Sequence, residues 1–169
     1  FDLQTRALTS GLLSKGEAAE TIGLGVSGWQ NSGPRPPTLR GIELQADAPD
    51  TYRSLAITRA ATGFAIGSDS WLSFFRATGS LAWRRPVAST TWGVNIPQTG
   101  SLAGKIVVAA YGDGTIRWHR LSDGQELLAL FPHADRQRWV LWTPSGYYDA
   151  SPGAEDLIGW HVNRGADQA

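Results

Sequence analysis

The chain has 169 residues, and its 15 Lys plus Arg balance 15 Asp plus Glu to a formal net charge of zero. That balance supplies no basic face, which argues against an electrostatic grip on nucleic acid or an anionic membrane. With no cysteine, the sequence excludes disulfides, thiolate zinc sites and a cysteine nucleophile of its own, and a reducing, cytoplasmic setting is the expectation.

Residue 1 is phenylalanine and no methionine follows, so the sequence reads as part of a longer chain. No apolar run approaches the ~18 residues of a spanning helix. Phe1-Asp2-Leu3 reads as mid-strand, making residues 1–10 the end of a preceding sheet. Across 11–51 the strand pattern lapses. Ser14 to Ile22 looks briefly helical, with Ser14 as a candidate N-cap and Glu17 three residues on, and its short length suits a single turn or a loop equally well. Gly23-Leu24-Gly25-Val26-Ser27-Gly28 fits G-x-G-x-x-G. The following Trp29-Gln30-Asn31-Ser32-Gly33-Pro34 cannot be the helix whose N-terminus would meet a pyrophosphate, so no cofactor is expected. Pro34, Pro36 and Pro37 cannot donate ladder hydrogen bonds, and the stretch reads as an extended surface connection.

From Tyr52 onward the chain repeats. Strands are expected near 52–58, 63–68, 71–76 and 80–85, then 91–96, 105–111, 115–120 and 125–131, then 138–143, 146–150 and 157–162. An acid, an aliphatic and an aromatic recur as Asp69, Leu72 and Phe74; as Asp113, Ile116 and Trp118; and as Glu155, Ile158 and Trp160. The aliphatic positions lie 44 and 42 residues apart, within the ~40–45 of WD40-type blades. Lys105 to Tyr111 is apolar on both faces, as stacking of sheet on sheet requires. The reading is an all-β partial propeller of four-stranded antiparallel blades: 1–10 the end of a blade, 11–51 an insertion, 52–86 and 87–132 two blades, 133–165 an incomplete last blade, and 166–169 a tail.

Tyr111-Gly112-Asp113-Gly114-Thr115-Ile116-Arg117-Trp118 resembles the third-strand signature of WD40 repeats, and Phe1-Asp2-Leu3-Gln4-Thr5-Arg6 resembles the "WD" dipeptide and its turn. The run from Arg138 to Gly153, continued from Glu155 to Gly165, is similar to the C-terminal end of large bacterial WD40-repeat proteins. Some members of that group carry a caspase-like peptidase domain. The resemblance implies a propeller that senses or regulates beside an effector enzyme. The Trp-Asp pair is replaced here by Trp118-His119, Phe74-Phe75 and Trp160-His161, so the acid of the blade network is missing. His119 is either an alternative partner or solvent-facing.

Candidate chemistry is sparse. His119, His133 and His161 show no i, i+4 spacing and no acidic set for zinc, so no metal is expected. There is no G-x-S-x-G elbow. Asp149, Glu155 and Asp156 fall around one Pro-Gly hairpin, where acids cap turns more readily than they cleave glycosides. The eight tryptophans are the true excess. Trp71, Trp92, Trp118, Trp142 and Trp160 fall on strands and read as core between blades. The candidate contact residues are Trp29, Arg136, Arg138, Trp139, Tyr147, Tyr148 and Asp149, since aromatics and arginine anchor interfaces. The expected function is a non-catalytic scaffold presenting loops 86–90, 112–114, 132–138 and 151–155 to a protein partner or another domain of its parent. Self-association to complete a ring is a further expectation. The rival is a propeller enzyme of glycosidase or quinoprotein type.

Overall fold

Strands that are apolar on both faces must be covered on both sides. The computed structural model describes residues 5–6, 17–30, 35–45 and 50–159, and it meets that demand with antiparallel sheets packed face to face. A small sheet holds β1 (Val26–Ser27), β2 (Thr38–Leu39) and β3 (Ile42–Glu43). The next holds β4 (Tyr52–Ile57), β5 (Gly63–Ser68), β6 (Trp71–Arg76) and β7 (Leu81–Pro86) in chain order. The last runs through β8 (Thr91–Asn95), β9 (Ile106–Tyr111), β10 (Ile116–Arg120) and β11 (Glu126–Pro132), then β12 (Trp139–Trp142) and β13 (Tyr148–Ala150). The architecture is a partial β-propeller. The eight strands β4 to β11 fall where the repeat places them, to within a residue or two.

Period-2 alternation sorts the side chains of β4 and β5 onto two faces. Leu55, Ile57, Phe64 and Ile66 form one cluster, joined by Val26 and Leu39 of the small sheet and by Leu24 and Leu44, which flank it. Ala56 and Ala65 point the other way and meet Val94, Ile96, Val107 and Ala109 of the last sheet. By register, Leu55, Ile57, Phe64 and Ile66 are the counterparts of Val94, Ile96, Val107 and Ala109. The small sheet therefore covers the β4–β7 sheet just as that sheet covers the next one. β5, enclosed on both sides, is buried along its whole length.

Residues 11–51 are thus more than the expected extended connection, as far as they are described. Leu39 and Ile42 flank a two-residue turn in which Arg40 and Gly41 sit at φ 52 and 82. Two positive-φ residues make the tight hairpin turn whose twist matches its strands. Glu17 to Ile22 form no helix. That segment lies along the free edge of β4, where the Glu20 carbonyl accepts from Ile57 N–H at 2.7 Å, and so blunts an edge open to further pairing.

The end of the chain also departs from expectation. The β12–β13 hairpin opens no new sheet; it pairs with β11 as strands five and six of the last one. The cause is the turn before it. Asp135 accepts the backbone N–H groups of Gln137 and Arg138, both at 2.9 Å, and His133 N–H donates to the Arg138 carbonyl at 2.8 Å. A turn that tight returns the chain beside the strand it left. No strand begins at 157 among the described residues. Glu155–Leu157 winds instead into a 3-10 turn, because Pro152-Gly153 ends β13 and the N–H groups of Leu157 and Ile158 reach carbonyls three residues back. Expectations for 1–4, 7–16, 31–34, 46–49 and 160–169 lie outside the described residues.

One glycine locks the two larger sheets. The Trp83 indole crosses from β7 and donates to the Leu121 carbonyl at 2.7 Å, lying beneath the β10–β11 turn. A Cβ on Gly124 would fall 2.4 Å from Trp83 Cε3, and Gly124 sits at φ 71. Gly124→Ala is expected to lower stability by about 2–4 kcal/mol through overpacking and left-handed strain. Urea unfolding checks this, and Ser122→Ala in the same turn is expected to shift the midpoint far less.

Candidate interaction surface

Each large sheet carries a bulge in its first strand. Tyr52 and Ser54 pair with Ser68 and Gly67, leaving Arg53 extra; Thr91 and Gly93 pair with Tyr111 and Ala110, leaving Trp92 extra. A bulge reverses which face a residue points to. Without it, Trp92 would share a face with Val94 and Ile96, both buried. With it, Trp92 is 59% exposed, against the expectation that it lies in the core. The two bulged residues meet: Arg53 Cζ lies 4.9 Å from the centroid of the Trp92 ring. Asp69 grips the guanidinium at Nε (2.9 Å) and NH2 (3.0 Å). Arg53's hydrogen bond holds the Asp69 carboxyl below its ordinary range, so the pair stays charged at neutral pH. A Cβ on Gly112 would lie 3.1 Å from Trp92 Nε1, so this glycine is where the indole edge rests.

The sequence-derived contact residues divide between two places. Trp29 is half-buried and packs against the cluster beneath the small sheet. The others lie on or beside the β12–β13 hairpin. Trp139 is only 6% exposed and its backbone N–H is held by Ser151 Oγ at 2.9 Å, so its indole is core rather than surface. Arg138 is committed to its own turn, with Nε 2.6 Å from Asp135 Oδ2. Arg136 is exposed at φ 61 in the same turn. Asp149 pairs with Arg6 at 2.8 Å, whereas Glu155 and Asp156 sit on the 3-10 turn. Tyr147 and Tyr148 are 78% and 50% exposed. Tyr148 also lines an apolar cavity of ≈ 330 Å³ with Phe131, Val140, Trp142, Leu157 and Ile158.

His119 takes the position of the missing acid and is buried at 5% exposure. Its Nδ1 lies 3.3 Å from the Gly124 carbonyl and its Nε2 3.0 Å from the Tyr111 hydroxyl. A carbonyl only accepts, so Nδ1 carries the proton and Nε2 accepts from Tyr111. Burial lowers the His119 pKa and raises that of the Tyr111 phenol; the pair is neutral and ties β9, β10 and the Gly124 turn together.

No family model matches the chain, nor does any curated protein. Among solved structures, BamB from Moraxella catarrhalis, a β-propeller protein, matches 76% of the chain at a TM-score of 0.51 and 18% identity, over 43% of its own length. The β-propeller domain of Cps50 (Swd1) from Myceliophteria thermophila matches 62% at a TM-score of 0.41 and 11% identity, over 44% of its length. The chain spans less than half of either protein. At 18% identity, the first likeness is one of fold.

The His119–Tyr111 pair predicts a pH dependence. The folded pKa of His119 lies below its unfolded value, so between the two the unfolded chain binds a proton that the folded chain refuses. Stability is expected to hold above the ordinary histidine pKa of ~6.5 and to fall as pH drops below it. Thermal unfolding from pH 8 to 5 reads this, and His119→Gln should flatten the part of the slope due to this site.

Proposed function

We propose that this chain is a non-catalytic interaction module, a propeller segment that presents rigid aromatic contacts to a protein partner or to another domain of its parent. The observation that carries the reading is Trp92, which a bulge turns out of the core and which Arg53 and Asp69 hold in place. Burying a side chain of this size contributes about 1.5–3 kcal/mol, a gain the free chain forgoes at this position. Exposed, pre-positioned tryptophan and tyrosine are the residue types that dominate binding energy at interfaces. Tyr147 and Tyr148 extend the same character to the hairpin end. Propeller likeness supports the scaffold part of the reading. The resemblance to bacterial WD40-repeat proteins favours an effector enzyme, such as a caspase-like peptidase, as what the module regulates, in a cytoplasmic setting.

Photo-crosslinking in the source cell tests the proposal. A benzophenone side chain at position 92 or 147 is expected to give a discrete protein adduct, and one at exposed Lys105 is not. Equal adducts at all three positions, or none at 92 and 147, would contradict it. Once a partner is in hand, Trp92→Ala is expected to weaken binding by about 2 kcal/mol while moving folding stability by no more than about 0.5 kcal/mol.

A further inference from the structure

The two larger sheets share one register, so the contact between them shows what the far face of the last sheet is built for. Ala65, Gly67, Leu72, Phe74 and Trp83 lie on the side of the β4–β7 sheet that meets the last one. Setting Leu72 and Phe74 on Ile116 and Trp118, strand pairing places Val108 at the position of Ala65, Ala110 at that of Gly67 and Leu128 at that of Trp83. These counterparts are apolar too, but less covered. Ala65, Gly67, Leu72 and Trp83 are buried, whereas Val108, Ile116 and Leu128 are half-buried and Ala110 is exposed. Among the described residues, Val108, Ile116, Trp118 and Leu128 join neither core cluster. Trp92 fits the same scheme. It is the bulge counterpart of Arg53, and Arg53 is the residue that reaches the bulge of the following sheet.

We propose that this face docks a further sheet of the same repeat, carried by the parent chain, whose first strand brings its own bulge residue against Trp92; the proposal rests on the interaction reading above and names what meets Trp92. A strand apolar on both sides calls for cover on both, and the cover that the repeat already uses on this side is another sheet. The side chains also set the size of the occupant's residues. A Cβ on Gly67 would lie 2.6 Å from Thr91 Cγ2 and 2.8 Å from Thr91 Cβ, and Ala110 carries that atom. At the same spacing between sheets, the occupant therefore presents glycine where β8 presents Thr91. Val108 is bulkier than Ala65, so the residues opposite it must be smaller than Val94, Ile96 and Val107, which meet Ala65. A second copy of this chain fits less well. The side it would have to offer, that of Leu55, Ile57, Phe64 and Ile66, lies under its own small sheet.

The chain has no cysteine, so one introduced thiol reports on one place. Maleimide labelling of Ala110→Cys is compared between this chain and the full-length parent, with Lys105→Cys, also at an exposed position, as reference. Ala110→Cys is expected to react at least about tenfold more slowly in the parent, and Lys105→Cys to change by less than about twofold. Hydroxyl-radical footprinting of the unsubstituted proteins makes the same comparison without altering the fold, and Trp92, Trp118 and Leu128 should be protected in the parent. Ala110→Leu takes the room the occupant needs. It should leave the unfolding midpoint of this chain unmoved and raise Trp118 footprinting in the parent to the level of this chain. The benzophenone adduct at position 92 should map within the parent, upstream of another acid–aliphatic–aromatic segment. The inference is overturned if Ala110→Cys and Trp118 react equally in the two proteins, if the adduct maps to a parent segment without that spelling, or if protection appears in this chain and grows with its concentration, the mark of a second copy. An adduct at position 92 that maps to a different protein, with Ala110 and Trp118 unprotected in the parent, would leave the interaction reading standing and remove the docked sheet. Loss of both adduct and protection would remove both.

Discussion

Ala56, Ala65 and Gly67 set how closely the two larger sheets approach, and most of the molecule follows from that distance. A Cβ on Gly67 would lie 2.6 Å from Thr91 Cγ2, so β8 rests against the backbone of β5. The two alanines are wholly buried opposite Val94, Ile96 and Val107. Small residues on one face thus admit larger ones from the other. The approach also brings Ser54 Oγ within 3.1 Å of the Thr91 carbonyl and Trp83 within reach of Leu121. The first contact fixes the inner edge of the interface and the second its outer edge.

The same approach explains the surface. Two sheets this close bring the bulges in β4 and β8 together, and the residues they turn out, Arg53 and Trp92, are left to stack on one another. A further pair of bulges follows the same repeat logic: Ala82 is extra in β7 and Leu127 in β11. The repeat therefore carries its irregularities with it. At the outer strands these direct Trp83 inward, and at the inner strands they direct Trp92 outward.

The strands β4 to β11 were legible because hairpin turns mark them: Asp113-Gly114, Asp123-Gly124 and Thr78-Gly79 punctuate apolar runs at a regular period. The bulges are not legible, since one extra residue leaves no compositional trace, and by strand alternation alone Trp92 belongs in the core. Trp139 erred in the opposite direction, because a tryptophan at a strand start looks like an edge residue until the neighbouring hairpin covers it. The insertion hid its role behind prolines, although Leu24 and Val26 at alternate positions and the Arg40-Gly41 pair were its strand and turn signals. The last repeat misled because its acid–aliphatic–aromatic spelling recurs where Pro152-Gly153 has already turned the chain into a 3-10 winding. Spelling alone does not specify which edge a returning strand will join; the Asp135 turn does.

The two larger sheets stand or fall together through their alanine and glycine interface. Native-state hydrogen exchange on Ala65→Leu tests it most directly, because the added bulk lies on β5 while the readout is on another sheet. If the interface governs both, amides of Ile106 to Tyr111 in β9 will lose protection by the same factor as those of Gly63 to Ser68 in β5. If β9 keeps its protection while β5 loses it, each sheet is stable on its own, and the interface does not govern both.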